Sequence, residues 1–518
     1  MRHAKYAKRF VVIAGFVATA ILVAFSLPSC SPTPGDTYGE ITRPPRISPD
    51  YAGAVIPPNI APPNFRVLEP GKAYFVKIHA PQGKALHITA KTGAIHIPQS
   101  TWRALLGANK GQQVSLDIFV QHADKGWQKF QSVTNTIAHE DIDDTLVFRL
   151  MKPIYNWWKD IGIYQRHLAG YRRSLVLHGR SFGSGCLNCH SFVNNQPDTL
   201  TIGLRSAEYG SATLLARRNT VDKIGARWGY TAWHPSGKLA VYSINKVAQF
   251  FHRGGSETRD VVDLDSALAC YMVRSEQVVC PPGLAEKDRL ETYPAWSPDG
   301  KHLYFCSGPL LWTDRDTVPP KDYEKLKYDL RRIPYDLDTD TWGQVETVLS
   351  ADETGLSILL PRISPDGRFL LFCMCQYGCF PIYQRSSDLY LMDLATNAYR
   401  KLDINSDCSE SWHSWSSNSR WIAFSSKRQG GLFTRTFLSY VDETGKVHKP
   451  IVVPQENPDY YSTLLETYSV PELVAGQIDT SKIRLARGAR SAPSIAVDVP
   501  ITGATPKARP LEPWQERE

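Results

Sequence analysis

Three residues carry the densest chemistry in this chain. Cys186, Cys189 and His190 stand in the stretch Gly-Ser-Gly-Cys-Leu-Asn-Cys-His-Ser-Phe, residues 183 to 192, in the order C-x-x-C-H. Two thiols and an imidazole at this spacing can run dithiol redox chemistry, hold a soft metal, or attach a planar group through two thioethers. A redox dithiol needs a βαβ surround, and none lies around Cys186. Zinc needs a second ligand pair at matching spacing, which the neighbourhood does not offer. A disulfide across only two intervening residues is strained.

The compartment bears on the choice. Arg2, Lys5, Lys8 and Arg9 precede an uncharged apolar run from Phe10 to Leu27. A basic region, an apolar region and then small residues form a secretory signal. Leu27-Pro28-Ser29-Cys30 at its end resembles a lipoprotein signal, in which Cys30 takes the lipid and ties the chain to a membrane. The alternative is an uncleaved signal anchor, since the run is long enough to span a bilayer. Either way residues 1–30 are a leader and the rest lies outside the cytoplasm, on the periplasmic face or on the outer membrane.

Composition and repeats give the scaffold. The chain has 518 residues, with 13 Trp, 24 Tyr and 19 Phe, a richness that suits strands. Its charge is +8, but Lys and Arg are scattered with no basic stripe, which argues against nucleic acid. Residues 31–64, with prolines in pairs such as Pro44-Pro45 and Pro57-Pro58, read as an extended tether. Residues 65–150 alternate in short runs and predict an N-terminal β-sandwich-like domain with one short helix, Gln99 to Leu106. Residues 151–214 contain apolar positions at helical spacing from Pro153 and predict a small helical insert carrying the C-x-x-C-H.

From 215 to 474 a unit recurs: Ala232-Trp-His-Pro-Ser-Gly-Lys, Ala295-Trp-Ser-Pro-Asp-Gly-Lys, Arg362-Ile-Ser-Pro-Asp-Gly-Arg and Ser414-Trp-Ser-Ser-Asn-Ser-Arg, each followed by an apolar strand. Proline sets the turn, aspartate bonds its own backbone, and glycine accepts the positive φ. Four strands per unit describe a β-propeller. The W-S-P-D-G-K turn resembles the TolB-type propeller repeat, which implies five or six blades. The chain as a whole is similar to a family of bacterial envelope lipoproteins that combine such a propeller with a C-x-x-C-H segment. Residues 475–518 read as a C-terminal extension that wraps the domain or is disordered.

The C-x-x-C-H is similar to the attachment motif of c-type cytochromes. The resemblance implies one covalent haem c. Cys186 and Cys189 would reach two vinyl carbons on one edge of the porphyrin, with His190 as proximal iron ligand. Attachment of this kind happens outside the cytoplasm, where the leader sends the chain. For the sixth ligand, no methionine lies between Met151 and Met272. Met272, Met374 and Met392 read as strand core. His178 is a local candidate. His413 is the distal candidate from the propeller, because it replaces Pro294 of the aligned unit on the innermost strand. The competing readings are a hydrogen-bonded structural histidine and an open sixth position.

Other clusters carry less. Cys270 and Cys280 flank a predicted hairpin they could staple. Cys373, Cys375 and Cys379 lack a companion pair for zinc. Asp336-Leu-Asp-Thr-Asp reads as a calcium loop or, better, a hairpin turn. No G-x-S-x-G elbow presents a nucleophile, and no catalytic constellation is identified. The expectation is therefore a mainly β, exported, membrane-anchored monohaem cytochrome whose propeller binds a redox partner protein or envelope component. The alternative is an envelope binding or scaffolding propeller whose haem is structural or sensory.

Overall fold

The computed structural model describes residues 33–152, 160–218, 220–252, 254, 257, 259–314, 316–492 and 494–495. The leader with Cys30, the helical pattern at 153–159 and the tail beyond 495 lie outside the described residues.

The chain forms a β-propeller preceded by a smaller β domain. Six antiparallel sheets of four or five strands follow one another. Their innermost strands are Thr467–Val474, Cys186–Phe192, Thr231–Trp233, Arg289–Trp296, Ser357–Ile363 and Glu410–Trp415. Each touches the next, and Glu410–Trp415 touches Thr467–Val474, which closes a ring around an axis. The first sheet is made from both ends of the ring. Its inner strand Thr467–Val474 pairs antiparallel with Thr145–Met151, and Ile161–His167 and Arg173–His178 complete it.

The turn chemistry holds in the recurring units. Asp299 Oδ1 accepts from the Ser297 hydroxyl at 2.5 Å and from the Lys301 amide at 3.0 Å. Gly300 sits at φ +72°, where any other residue is strained. Asp366 and Asn418 repeat the bond pattern in the fifth and sixth sheets. Apolar faces interlock between sheets: Leu268, Leu303, Phe305 and Ile333 fill one seam, and Leu370, Phe372 and Met392 another. Each such side chain contributes roughly 1.5–3 kcal/mol on burial.

The N-terminal domain has a seven-stranded and a three-stranded sheet with the helix Gln99–Ala108, which buries Trp102, Leu105 and Leu106. It is bolted to the sixth sheet. The Asp143 carboxylate accepts from the Ser417 amide and hydroxyl at 2.8 and 2.6 Å, and Trp421 Nε1 donates to the Glu140 carbonyl at 3.2 Å.

Two boundaries differ from the sequence reading. The proline-rich stretch is not a free tether after residue 38. Gly39–Ile41 and Val55–Ile56 join the seven-stranded sheet, and Tyr51, Ile56, Ile60 and Phe65 are buried. The apolar residues between the prolines outweigh the prolines. The 160–214 stretch is not helical: apart from one short turn, Gly179–Phe182, it is strands of the first two sheets. After 475 the described residues fold back on the propeller. The helix Lys482–Ser491 packs on the second sheet, and Ser494–Ile495 adds an edge strand to it.

Candidate functional site

The C-x-x-C-H is the innermost strand of the second sheet. Cys186 pairs with Arg205 and Leu187 with Leu204; the register then slips, and His190 pairs with Ile202. The same slip occurs on the innermost strands of the fourth, fifth and sixth sheets, after Thr292, Leu359 and Ser411. In the first sheet it lies between Val147 and Arg149, opposite Val470. At the slip Tyr293, Leu360, Trp412 and Val470 have φ between +43° and +56°. A bulge of this kind adds one residue to the strand and re-aims its side chain. Tyr230 from the third sheet, Tyr293 from the fourth and Trp412 from the sixth meet across the axis, with ring centroids 4.2 to 6.1 Å apart.

Alignment on the slip gives Tyr293-Pro-Ala-Trp, Leu360-Pro-Arg-Ile, Trp412-His-Ser-Trp, Val470-Pro-Glu-Leu and Cys189-His-Ser-Phe. Cys189 therefore holds the axial position. His190 and His413 hold the position that proline takes in three other sheets.

The two histidines have different surroundings. His413 Nε2 donates to the Leu371 carbonyl at 3.0 Å, and its Nδ1 lies 3.7 Å from Cys373 Sγ. Burial drives its pKa down to about 3. It is a satisfied wall residue, so its ring does not serve as a distal iron ligand in this arrangement. His190 is 1% exposed and faces Val147 and Val470, the counterparts of Leu371 and Leu360. Its ring nitrogens lie near the Val147 and Val470 carbonyls, yet neither makes a hydrogen bond of regular geometry among the described residues. Where His413 meets Cys373, His190 meets Arg149, which pairs with Ser469 across the strand. Burial first, then Arg149 and Arg362, push the His190 pKa down to about 3. The imidazole is neutral, with a lone pair that no described protein donor occupies.

The thiols flank it. Cys186 is buried and Cys189 half-buried, and neither is in a disulfide. Burial raises the Cys189 pKa, opposed by Arg149, Arg362 and Arg227. A raised thiol is the opposite of what a redox dithiol needs. The arginines answer differently to their surroundings. Arg362 bonds Glu472 at 2.6 Å, while Arg149 reaches only the Ser469 hydroxyl at 3.3 Å and its Nε has no partner among the described residues.

The remaining candidates fall elsewhere. His178 is engaged on both nitrogens, by the Arg180 amide and by Asp160. Met374 and Met392 are core residues of the fifth sheet, and Met272 packs beside Cys270. Cys270 and Cys280 remain separate thiols. Cys375 turns to the Tyr377 carbonyl and Cys379 to that of Val261, so the three clustered cysteines diverge. Asp336 Oδ1 takes two amides of its own hairpin turn.

One feature escaped the sequence reading. The strands Leu239–Phe251 and Arg259–Met272 overshoot their sheet and form a hairpin that reaches from the third sheet to the sixth. Lys427, 5% exposed, bonds Glu257 in its tip at 2.6 Å, and Arg259 lies over the Tyr383 ring at 5.6 Å. The signal was Gly254-Gly255 between two long alternating runs.

No protein-family model and no curated protein matches the chain. Solved structures similar in fold include a luciferin-regenerating enzyme at 10% identity, covering 60% of this chain and 87% of that one with a TM-score of 0.33. An oligogalacturonate lyase from Vibrio parahaemolyticus shares 11% identity over 73% of this chain and all of its own, with a TM-score of 0.30. A chain of a nidogen/laminin complex shares 8% identity over 64% and 99%, with a TM-score of 0.36. What the chain has in common with such neighbours is the β-propeller class of fold.

Proposed function

We propose that the chain is an extracytoplasmic, membrane-anchored monohaem c-type cytochrome built on a six-bladed, TolB-like propeller. The observation that carries this reading is the contrast at one repeat position. The buried imidazole of His413 is hydrogen-bonded, and the buried imidazole of His190 is neutral with neither nitrogen bonded. An unpartnered buried polar group costs about 1–3 kcal/mol unless something pairs with it. It stands next to two thiols at the haem-attachment spacing.

The donor set fits a haem c. Cys186 and Cys189 would hold the macrocycle through thioethers, and His190 would offer a nitrogen to iron. Bound haem supplies single-electron exchange. The chain's own part is to keep His190 unprotonated through burial and the nearby arginines, and to keep water from it. The space is not preformed. Cys186 and His190 are 6% and 1% exposed, and none of Cys186, Cys189 and His190 lines the cavity of about 160 Å³ described below. Cofactor pockets run on the order of 300–1,000 Å³, so loading requires the inner strand or the crossing hairpin to yield. The propeller would bind the redox partner or an envelope component, with Cys30 lipid or the leader itself as anchor.

A second reading is favoured by the repeat alignment. If Cys189-His190-Ser191-Phe192 is only a variant of the axial strand, the protein is an envelope binding propeller. The deciding experiment is expression in a host with cytochrome c maturation, followed by a pyridine haemochrome spectrum after denaturing extraction. A c-type band that stays with the polypeptide and is lost in Cys186→Ala/Cys189→Ala supports the cytochrome. No retained haem, where a control cytochrome matures, overturns it in favour of the second reading.

A further inference from the structure

A cavity lies at the junction of the first sheet, the sixth sheet and the loop around Tyr460. It is separate from the C-x-x-C-H, and its chemistry is independent of any haem. Its volume is about 160 Å³. Phe148, Tyr171, Tyr461 and Tyr468 supply aromatic walls. The cavity also holds two cations, Arg166 and Arg173.

Arg166 is 3% exposed and meets no carboxylate among the described residues. Its Nε donates to the Gly170 carbonyl at 2.8 Å and its Nη2 to the Pro454 carbonyl at 2.5 Å. Burial lowers its pKa. Neutral carbonyls fix the guanidinium in place but leave its charge uncompensated, which is costly in an interior. Thr436, 1% exposed, also lines the cavity, and its hydroxyl has no partner among the described residues. Of the carboxylates close by, Asp459 is engaged by Arg66, and Glu466 reaches Arg173 at 3.7 Å, so the second cation is partly compensated while Arg166 is not.

We propose that this cavity is a binding site for a small, flat monocarboxylate. A cavity of about 150 Å³ with apolar walls takes a benzene ring, so one ring and its carboxylate fit the volume here. The ring would lie among the aromatic walls, its face or edge against theirs. The carboxylate would compensate Arg166, with Arg173 at the second charged position and the Thr436 hydroxyl as a further donor. Neutral ligands of the same shape leave the buried charge unmet and bind more weakly.

Benzoate is the probe, with benzyl alcohol as the neutral control, measured on the full chain by calorimetry and thermal melting. The expected result is saturable benzoate binding and a rise in Tm of about 2 °C or more near tenfold saturation. Benzyl alcohol should bind at least tenfold more weakly. Arg166→Met should weaken benzoate at least tenfold. Should that variant fail to fold, Arg173→Gln decides, because Arg173 is an exposed residue; it should weaken benzoate several-fold. Absence of benzoate binding at about 10 mM, equal binding of benzyl alcohol, or an unchanged affinity in Arg173→Gln would each overturn the proposal.

Discussion

His190 and His413 occupy the same position on two innermost strands, one residue past the register slip, and only His413 has a hydrogen-bonded ring. Their burial is nearly equal, at 1% and 3% exposure. The difference lies in the neighbouring sheet: a cysteine and a well-aligned carbonyl for His413, and for His190 an arginine and the Val147 and Val470 carbonyls, which its ring faces without a hydrogen bond of regular geometry.

Leucine at each position separates the two roles. In the haem-free protein, His413→Leu leaves the Leu371 carbonyl unsatisfied and should cost about 1–3 kcal/mol. His190→Leu removes an unpaired polar ring and should be neutral or stabilising. Denaturant titration of both variants checks this, and equal losses would contradict it.

The pH profile has two opposed parts. Both histidines have folded pKa values of about 3, below the unfolded value of roughly 6.5. The unfolded chain binds their protons first, so their stabilisation is whole above pH 6.5 and falls away on acidification toward 3. Asp263 and Glu291 are buried in the third and fourth sheets, and desolvation raises each to about 8. Their stabilisation is whole below about pH 4 and is lost as pH rises toward 8. Between 6.5 and 8 only the acids act, so Tm should fall there, with a slope on the order of 1 kcal/mol per pH unit per group. Asp263→Asn and Glu291→Gln should flatten that limb, which melting from pH 5 to 9 would reveal.

The crossing hairpin is held at its far end by Lys427 and Glu257. Lys427→Met leaves Glu257, 19% exposed, without its buried partner and should cost about 1–3 kcal/mol of global stability. Amide exchange at the ends of Leu239–Phe251 and Arg259–Met272 should quicken at least tenfold. Unchanged protection would mean that the hairpin stands without the pair.

Ring closure depends on Thr467–Val474. Ending the chain at Glu466 strips the inner strand from the first sheet and exposes Val147, now 0% accessible. That truncation should abolish cooperative melting, whereas ending at Ile495 should shift Tm by less than about 3 °C. Calorimetry of the two shortened chains decides.

The sheets with Pro-Asp-Gly or its equivalents were readable because the turn needs those residues. The first two were not, for different reasons. In the second sheet the turn between its first strands carries Asn194 and Asn195 at φ +48° and +59°, which does the work of glycine without its signature. In the first sheet the inner strand and its neighbour come from opposite ends of the ring, so no local turn exists between them. The C-x-x-C-H was evident from spacing alone, but its place was not. Cys189-His-Ser-Phe matches Trp412-His-Ser-Trp, a likeness that points to a strand. The sequence reading of this stretch rested instead on the helical spacing just upstream. The cavity around Arg166 draws residues from four separated segments, and no local pattern announces it.

A ring stitched by its last strand also sets a timetable. Synthesis delivers Cys186, Cys189 and His190 long before Thr467–Val474 arrives to pair with Thr145–Met151. Until then the wall against which His190 is packed is incomplete, because Val470 belongs to that late strand. The unclosed chain thus passes through an interval in which the imidazole and its neighbouring thiols lack their final cover. Closure ends that interval and seals whatever the strand then carries.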